Sequence, residues 1–313
     1  MAPLSTTIEE AIARVEDWKG CDVSYSSVGG GVTNPNFKVK VDGKNFFLKI
    51  PGVGTDFINR EVCHQANVLA SESGAGPTFR YYFPDTAVEI VDWLDGYRTL
   101  TFGDVYNEKI FKMIFEKIRA FHNLPGAKLD LEQNVFDQAH DMINRVVENG
   151  SYLPAWHDKM VYLINACEDA IKTNGIDSKP CHNDFWTNNI MYNEETGDMK
   201  IIDFEYASMN DPYYDLGLCA TCYFTDAMEE ELCKVYHGGE FNPVGFAKEK
   251  IYKIAGDIKW SYWALYQSLT SDIEFDYMNW YGQKVARLQG NWNDPRLDMW
   301  LNLLNGKPVF RKF

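Results

Sequence analysis

The stretch Cys181-His182-Asn183-Asp184-Phe185-Trp186-Thr187-Asn188-Asn189, continued by Ile201-Ile202-Asp203-Phe204-Glu205-Tyr206, decides how this chain folds. It reads H-x-D-x-x-x-x-N and then a hydrophobic strand ending in Asp. Phosphoryl transfer onto a hydroxyl needs this spacing. One carboxylate, Asp184, meets the hydroxyl proton. An amide oxygen, Asn189, and a second carboxylate, Asp203, hold the magnesium ion that bridges the phosphates of ATP. Such chemistry is mostly positioning and charge neutralisation, so a few oxygen ligands on a stiff loop and hairpin suffice. The residues between the two blocks read as that hairpin, turning through Glu194-Glu195-Thr196-Gly197. His182 is expected to buttress the loop by hydrogen bonding rather than to exchange protons. Glu205 could act near the metal, near a substrate cation, or simply within its own loop.

Upstream of this stretch, Thr7-x-x-Glu10 is a capping box opening an amphipathic helix through Trp18. Residues 23–50 read as three strands. Gly29-Gly30-Gly31-Val32-Thr33-Asn34 separates the first two, and Asp42-Gly43 turns the hairpin between the second and third. A helix is expected over 56–71, then strands over 79–83 and 87–91. From about residue 102 the pattern is helical, with segments near 103–123, 135–148, 155–173, 211–224, 243–270 and 274–289. The expectation is an α+β, bilobal, protein-kinase-like fold. Residues 1–92 form a small antiparallel-sheet nucleotide lobe, and 93–313 form a larger helical lobe that carries catalysis and the acceptor.

The glycine run, with Thr33 and Asn34, could bring backbone amides close to a phosphate. It is not a P-loop, and a glycine-rich turn can be purely structural. Lys49 is more telling. It lies on the third strand among apolar residues, where an unpaired ammonium is costly. Glu61 in the following helix is the expected partner, an arrangement that aims the lysine at the α- and β-phosphates. The segment Val88-Glu89-Ile90-Val91-Asp92 joins the lobes, so Ile90 and Asp92 are the expected neighbours of adenine.

Composition narrows the partners. The formal net charge is −15, which argues against nucleic acid or an anionic membrane and favours cationic ligands. No apolar run reaches the length of a membrane span, and no basic-then-apolar leader is visible. Seven cysteines without a tight framework suggest reduced thiols in a cytoplasmic protein. Cys219-x-x-Cys222 has no second pair at zinc spacing and reads as packed helix surface.

The chain resembles the choline/ethanolamine kinase family, within the wider aminoglycoside-phosphotransferase-like group. One block carrying the resemblance is the 181–189 loop with Ile202-Asp203-Phe204-Glu205-Tyr206-Ala207, Asn210 and Asp215. The other is Trp260-Ser261-Tyr262-Trp263-Ala264-Leu265-Tyr266-Gln267, continued by Ile273-Glu274-Phe275-Asp276-Tyr277-Met278-Asn279-Trp280. The glycine run, with Ile50-Pro51-Gly52 and Asn59-Arg60-Glu61, is similar to the bacterial-type branch. Trp260 and Trp263 share a helix face. With Tyr206, two indoles could surround a quaternary ammonium, which offers no hydrogen-bond donors but is attracted to aromatic faces. The resemblance adds Trp280 as a further cage aromatic. It implies transfer from ATP, with magnesium, to the hydroxyl of choline. Ethanolamine, thiamine or an aminoglycoside is the alternative acceptor, and a non-catalytic small-cation binder is the reading from another class. The chain departs from the family pattern at Cys222, where the resemblance leads one to expect Glu. Asp226 or Glu205 could supply the missing counter-charge.

Overall fold

Thr7 opens the first helix with a reciprocal cap. Its Oγ1 accepts from the Glu10 amide at 3.2 Å, and its own amide donates to Glu10 Oε2 at 2.9 Å. Such a cap contributes about 1 kcal/mol to a helix end. The computed structural model describes residues 5–29, 34–52, 55, 58–150, 153–271 and 275–307. In it this helix, α1 (Ile8–Ala13), stops short of Trp18, and Glu16–Trp18 form a separate 3-10 turn. The apolar spacing outlives the break: Ile8, Ala11, Val15 and Trp18 all enter one core.

The strands β1 (Val23–Val28), β2 (Asn36–Val41) and β3 (Lys44–Lys49) stand where the alternation places them. Asp42 and Gly43 take φ of 47° and 86°, the doubly left-handed turn that matches strand twist. The helix α2 (Arg60–Glu72) starts where the Asn59 side chain accepts from the Val62 amide at 3.2 Å. After it come β4 (Phe79–Phe83) and β5 (Val88–Asp92). The sheet is antiparallel in the order β1-β2-β3-β5-β4. Val39, Val41, Phe46, Leu48, Val88 and Ile90 line its covered face with the α1 residues.

The chain continues through β6 (Tyr97–Thr99), α3 (Glu108–His122), α4 (Val135–Glu148), α5 (His157–Asn174) and β7 (Lys179–Cys181). The strands β8 (Ile190–Asn193), β9 (Met199–Ile201) and β10 (Ser208–Asn210) follow. The remaining helices are α6 (Tyr213–Ala220), α7 (Asp226–Tyr236), α8 (Pro243–Thr270), α9 (Tyr277–Trp292) and α10 (Leu297–Asn305). Contacts gather the chain into two compact units. One comprises Met1–Leu131 and Thr187–Ser208, the other Glu132–Trp186 and Met209–Phe313. In the first, β8 and β9 form the expected hairpin, extended on one side by β6.

The second unit is built on α8. Asn242 caps it by accepting from the Val244 and Gly245 amides, and Pro243 takes a first-turn position where its missing N–H costs nothing. The helices α4, α6 and α9 pack along it. Gly217 of α6 lies so near that a Cβ there would sit 2.9 Å from the Glu249 carbonyl oxygen and the Lys253 nitrogen. Several buried charges in this unit are paired, as burial favours, whereas buried Glu249 makes no hydrogen bond among the described residues and burial pushes its pKa up to about 8. Lys248 donates to Asp211 at 2.9 Å, Lys250 and Lys253 share Glu229, and Arg287 forks onto Asp257. Among the described residues, no helix is long and apolar enough to cross a membrane.

Candidate active site

Lys49 ends β3 opposite Glu89 of β5. Its Nζ lies 3.3 Å from Asp203 Oδ1 and 3.5 Å from Glu205 Oε1. Burial works to strip the proton from this ammonium, but Asp203, Glu205 and Glu89 together hold its pKa well above the usual lysine value. It is therefore a fixed positive charge across the working pH range. The expected partner, Glu61, is exposed and lies near His64 and Tyr82 instead. The carboxylates that reach Lys49, Asp203 and Glu205, come from 154 and 156 positions downstream, a pairing that local sequence does not show.

Glu205 is a hub of the first unit. It is buried, and it accepts from Arg60 Nη1 at 2.9 Å and from the Asn34 amide. Asn34 Oδ1 in turn accepts from Arg60 Nη2 at 2.9 Å and from the Gly52 amide at 3.1 Å. The Asn34 side chain thus faces Arg60 and Glu205. Glu205 answers two of the protein's own cations, Lys49 and Arg60. Gly29 is described, exposed at the end of β1. Gly30, Gly31 and Thr33 lie outside the described residues.

Ile90 and Asp92, the expected neighbours of adenine, both belong to β5. Ile90 is fully buried on the central strand, paired with Leu48 on one side and Tyr81 on the other. Asp92 gives its amide to the Thr78 carbonyl and its carboxylate to a two-pronged Arg80 contact at 2.7 and 2.5 Å. Both are committed to the sheet, as residues inside a five-stranded ladder must be.

Asn189 and Asp203 stand at the same end of the β8–β9 hairpin. The register pairs Ile190 with Ile201, and the Ile202 amide donates to the Asn189 carbonyl at 2.9 Å. Phe204, buried against Phe121 at 5.0 Å, pins the chain just past Asp203. Asp203 itself takes a left-handed φ of 67°, an uncommon state for a residue with a Cβ. Its side chain stays 45% exposed. An amide and a carboxylate offered side by side are the hard oxygen donors magnesium takes, so the residues fit that ion.

In the second unit, Asp215 builds the loop that carries Asp184. Fully buried, it accepts from the His182 amide through Oδ2 and from the Asn183 amide through Oδ1, both at 2.7 Å. Asn183 adopts a φ of 63°, and its Oδ1 accepts from Asn210 Nδ2 at 2.8 Å. The Asp184 amide donates to His182 Nδ1 at 3.2 Å. His182 thus has the buttressing position read from the sequence.

Aromatic rings gather on α8 and α9. Trp260 and Trp263 meet edge to face at 5.4 Å, and Trp263 meets Tyr277 at 5.9 Å. Trp280 meets Trp186 at 5.8 Å and Phe275 at 6.0 Å. Trp260 is buried, while Trp263 and Trp280 keep part of their surface open. Two of these indoles already carry a cation. Lys259 Nζ lies 3.3 Å from the Trp260 ring centre, and Lys284 Nζ lies 4.0 Å from that of Trp280. Burial draws the Lys259 pKa down to about 7 against the opposing pull of Asp184. Burial, reinforced by Arg287, draws Lys284 down to about 8. Tyr206 belongs to the first unit and is half-buried.

A model of the choline/ethanolamine kinase family matches residues 25–233. The chain belongs to this family. It is 27% identical over 294 residues to probable choline kinase 2 of Arabidopsis thaliana, a match covering 82% of each chain. Among solved structures, a choline/ethanolamine kinase family protein from Mesorhizobium loti superposes with a TM-score of 0.82 at 25% identity, covering 94% of this chain and 97% of the other. The choline kinase LicA of Streptococcus pneumoniae gives 0.71 at 25% identity, covering 90% and 98%. The protein is a small-molecule kinase that phosphorylates an alcohol, on a protein-kinase-like fold.

Some residues of this choline/ethanolamine kinase family member were not read from the sequence. Arg60 sits in the quoted Asn59-Arg60-Glu61 run, yet Glu61 drew attention because acid–lysine pairs are the familiar signal. Lys284 lies four residues beyond Trp280 on one helix face, whereas Lys259 directly precedes Trp260, a spacing that gives no sign of contact. Cys222 is buried and faces Lys284 and Arg287, so the departure from the family's acidic residue sits beside two cations. Asp226, the other carboxylate considered for the counter-charge, lies at the start of α7. It is held by Lys250 at 3.2 Å and Arg296 at 2.9 Å, capturing the cations that neighbour α7. The seven cysteines are all free, and Cys219 and Cys222 are both buried.

Proposed function

We propose that this kinase transfers the γ-phosphoryl group of ATP to the hydroxyl of choline, giving phosphocholine and ADP. Asp184 takes the hydroxyl proton as the oxygen forms its bond to phosphorus and the bond to the ADP oxygen breaks. Lys49, held charged by its carboxylates, steadies the α- and β-phosphates, and the amides of the segment Gly29, Gly30, Gly31 and Thr33 would serve the same phosphates. Asn189 and Asp203 would hold magnesium, which supplies charge neutralisation on the phosphates. Trp260, Trp263 and Trp280, with Tyr206, would receive the ammonium end. The seven free thiols support a reducing, cytoplasmic setting.

The observation that carries the acceptor assignment is the pair of occupied indole faces. Trp260 and Trp280 each hold an ammonium at 3.3 and 4.0 Å, so these rings take cations in this protein's own environment. The lysines are primary ammoniums, so the rings alone do not choose between choline and ethanolamine. The choice of choline rests on the likeness to choline kinases and on a quaternary ammonium needing no hydrogen-bond acceptor. The test is ADP release with choline, ethanolamine, thiamine and an aminoglycoside, each with and without magnesium. Choline is expected to give the highest kcat/KM, and a clear preference for another alcohol would reassign the acceptor. Replacing Trp260 with Ala should raise the choline KM about tenfold, the worth of one desolvated cation–π contact. The KM for ATP should not move. An equal rise in both would remove Trp260 from the acceptor cage.

A further inference from the structure

We infer that Lys259 and Lys284 are resident cations of the acceptor site, each laying its ammonium on an indole face that the substrate's ammonium must take. Acceptor binding then requires the lysine to withdraw or to lose its proton. The inference rests on the ammonium-alcohol reading above and concerns which of the protein's own groups sets acceptor affinity.

Geometry is the first support. The Lys259 nitrogen lies 3.3 Å from the centre of the Trp260 ring, and the Lys284 nitrogen 4.0 Å from that of Trp280. A ring face has room for one cation at such a distance, and a second full charge beside it is repelled. The lysines come from the same helices as their indoles, α8 and α9, so each stays tethered beside its ring.

Lys259 faces Asp184 from the loop. Lys284 is faced by Arg287 on its own helix, by Asp257 on α8, by Cys222 just past α6, and by Asp184. Asp257 is already answered by the Arg287 fork. Tyr214 on α6 also faces Asp184, and burial keeps its phenol neutral. Asp184 is the carboxylate facing Lys259, while Asp257 leads for Lys284, with Cys222 and Asp184 behind it. Burial draws Lys259 to about 7 and Lys284 to about 8, against a usual value of 10.5. Both change charge within the range in which an enzyme works.

The sign follows. Below pH 7 Lys259 is protonated and occupies the Trp260 face, so an incoming ammonium must displace it. As pH rises the amine becomes neutral and loses its attraction to the ring, so the acceptor binds more tightly. For one competing proton titrating near 7, the dissociation constant falls about tenfold between roughly pH 6 and pH 8.

The experiment is calorimetric titration of the whole protein with choline and with tetramethylammonium at several pH values across that range. Wild type should show the tenfold tightening. Lys259→Met should bind more tightly at the acidic end and lose the slope, and Lys259→Gln should do the same if the methionine variant folds poorly. Lys284→Met should remove a further part of the dependence at higher pH. A wild-type affinity that ignores pH, or a slope that persists in both Lys259 variants, overturns the inference. It leaves the acceptor reading standing if Trp260→Ala still weakens binding. Failure of wild type and all variants to bind either ammonium, with ADP still formed on another alcohol, overturns both.

Discussion

Replacing Asp184 with Ala lowers kcat by about 10²–10⁴-fold, the usual worth of a positioned proton acceptor, while the KM for ATP stays within about twofold. The split follows from how the loop is built. Its shape is set by Asp215 through the His182 and Asn183 amides at 2.7 Å, and the Asp184 contact recorded with His182 Nδ1 is made by the backbone amide. Removing the carboxylate thus deletes the proton acceptor and a counter-charge of Lys259, while the backbone contacts that shape the loop stay in place. The charged partners of Lys49 belong to the other unit, so the nucleotide side keeps its fixed cation. Initial rates of ADP release at varied ATP and choline check this. A kcat near that of wild type would remove Asp184 from proton transfer.

The second large effect is expected at Asp215, a positioning residue. Asp215→Ala leaves two buried amides without acceptors, at about 1–3 kcal/mol each. The loop around Asn183 loses the bonds that hold its left-handed turn. Turnover should fall about 100-fold or more and the melting temperature should drop by several degrees. Asp215→Asn keeps one oxygen acceptor and should restore much of the stability and part of the turnover. Its remaining deficit should lie in kcat rather than in either KM. Thermal melts alongside steady-state kinetics separate the two. Equal stability and turnover in Asp215→Ala and wild type would deny the anchoring role.

The parts legible in the sequence are those whose geometry is written locally. The hairpin that sets Asn189 beside Asp203 was readable because strand, turn and strand are contiguous. The Thr7–Glu10 cap, the Asp42-Gly43 turn and the long helix over 243–270 were readable for the same reason. The helix expected over 211–224 contracted to α6, ending at Ala220, and its close approach to α8 at Gly217 is a tertiary fact with no periodic signature. The helices α7 and α10 escaped notice: α7 carries a run of acids, and the apolar residues of α10 are too dense to show a stripe. The strands β6, β7 and β10 are three residues each, too short for alternation to register.

Ion pairing was the least legible layer. Lys49 was recognised as needing a partner, but nothing local says that Asp203 and Glu205 rather than Glu61 answer it. Ile90 and Asp92 were placed in the right strand, yet their commitments depend on β5 lying between β3 and β4. The lysines beside Trp260 and Trp280 carried no signal of their own, since a lysine next to a tryptophan on a helix is ordinary until the burial is known.

The left-handed backbone at Asp203 has an implication for how this enzyme can be improved. Only glycine rests in that conformation at little steric cost, and glycine would discard the oxygen ligand. Natural selection has therefore had to tolerate an uphill residue there. A laboratory hunt for heat-resistant mutants should not settle on Asp203→Gly, because relief at the backbone is offset by loss of a carboxylate that keeps buried Lys49 charged. The same hunt run under a growth requirement should never return it.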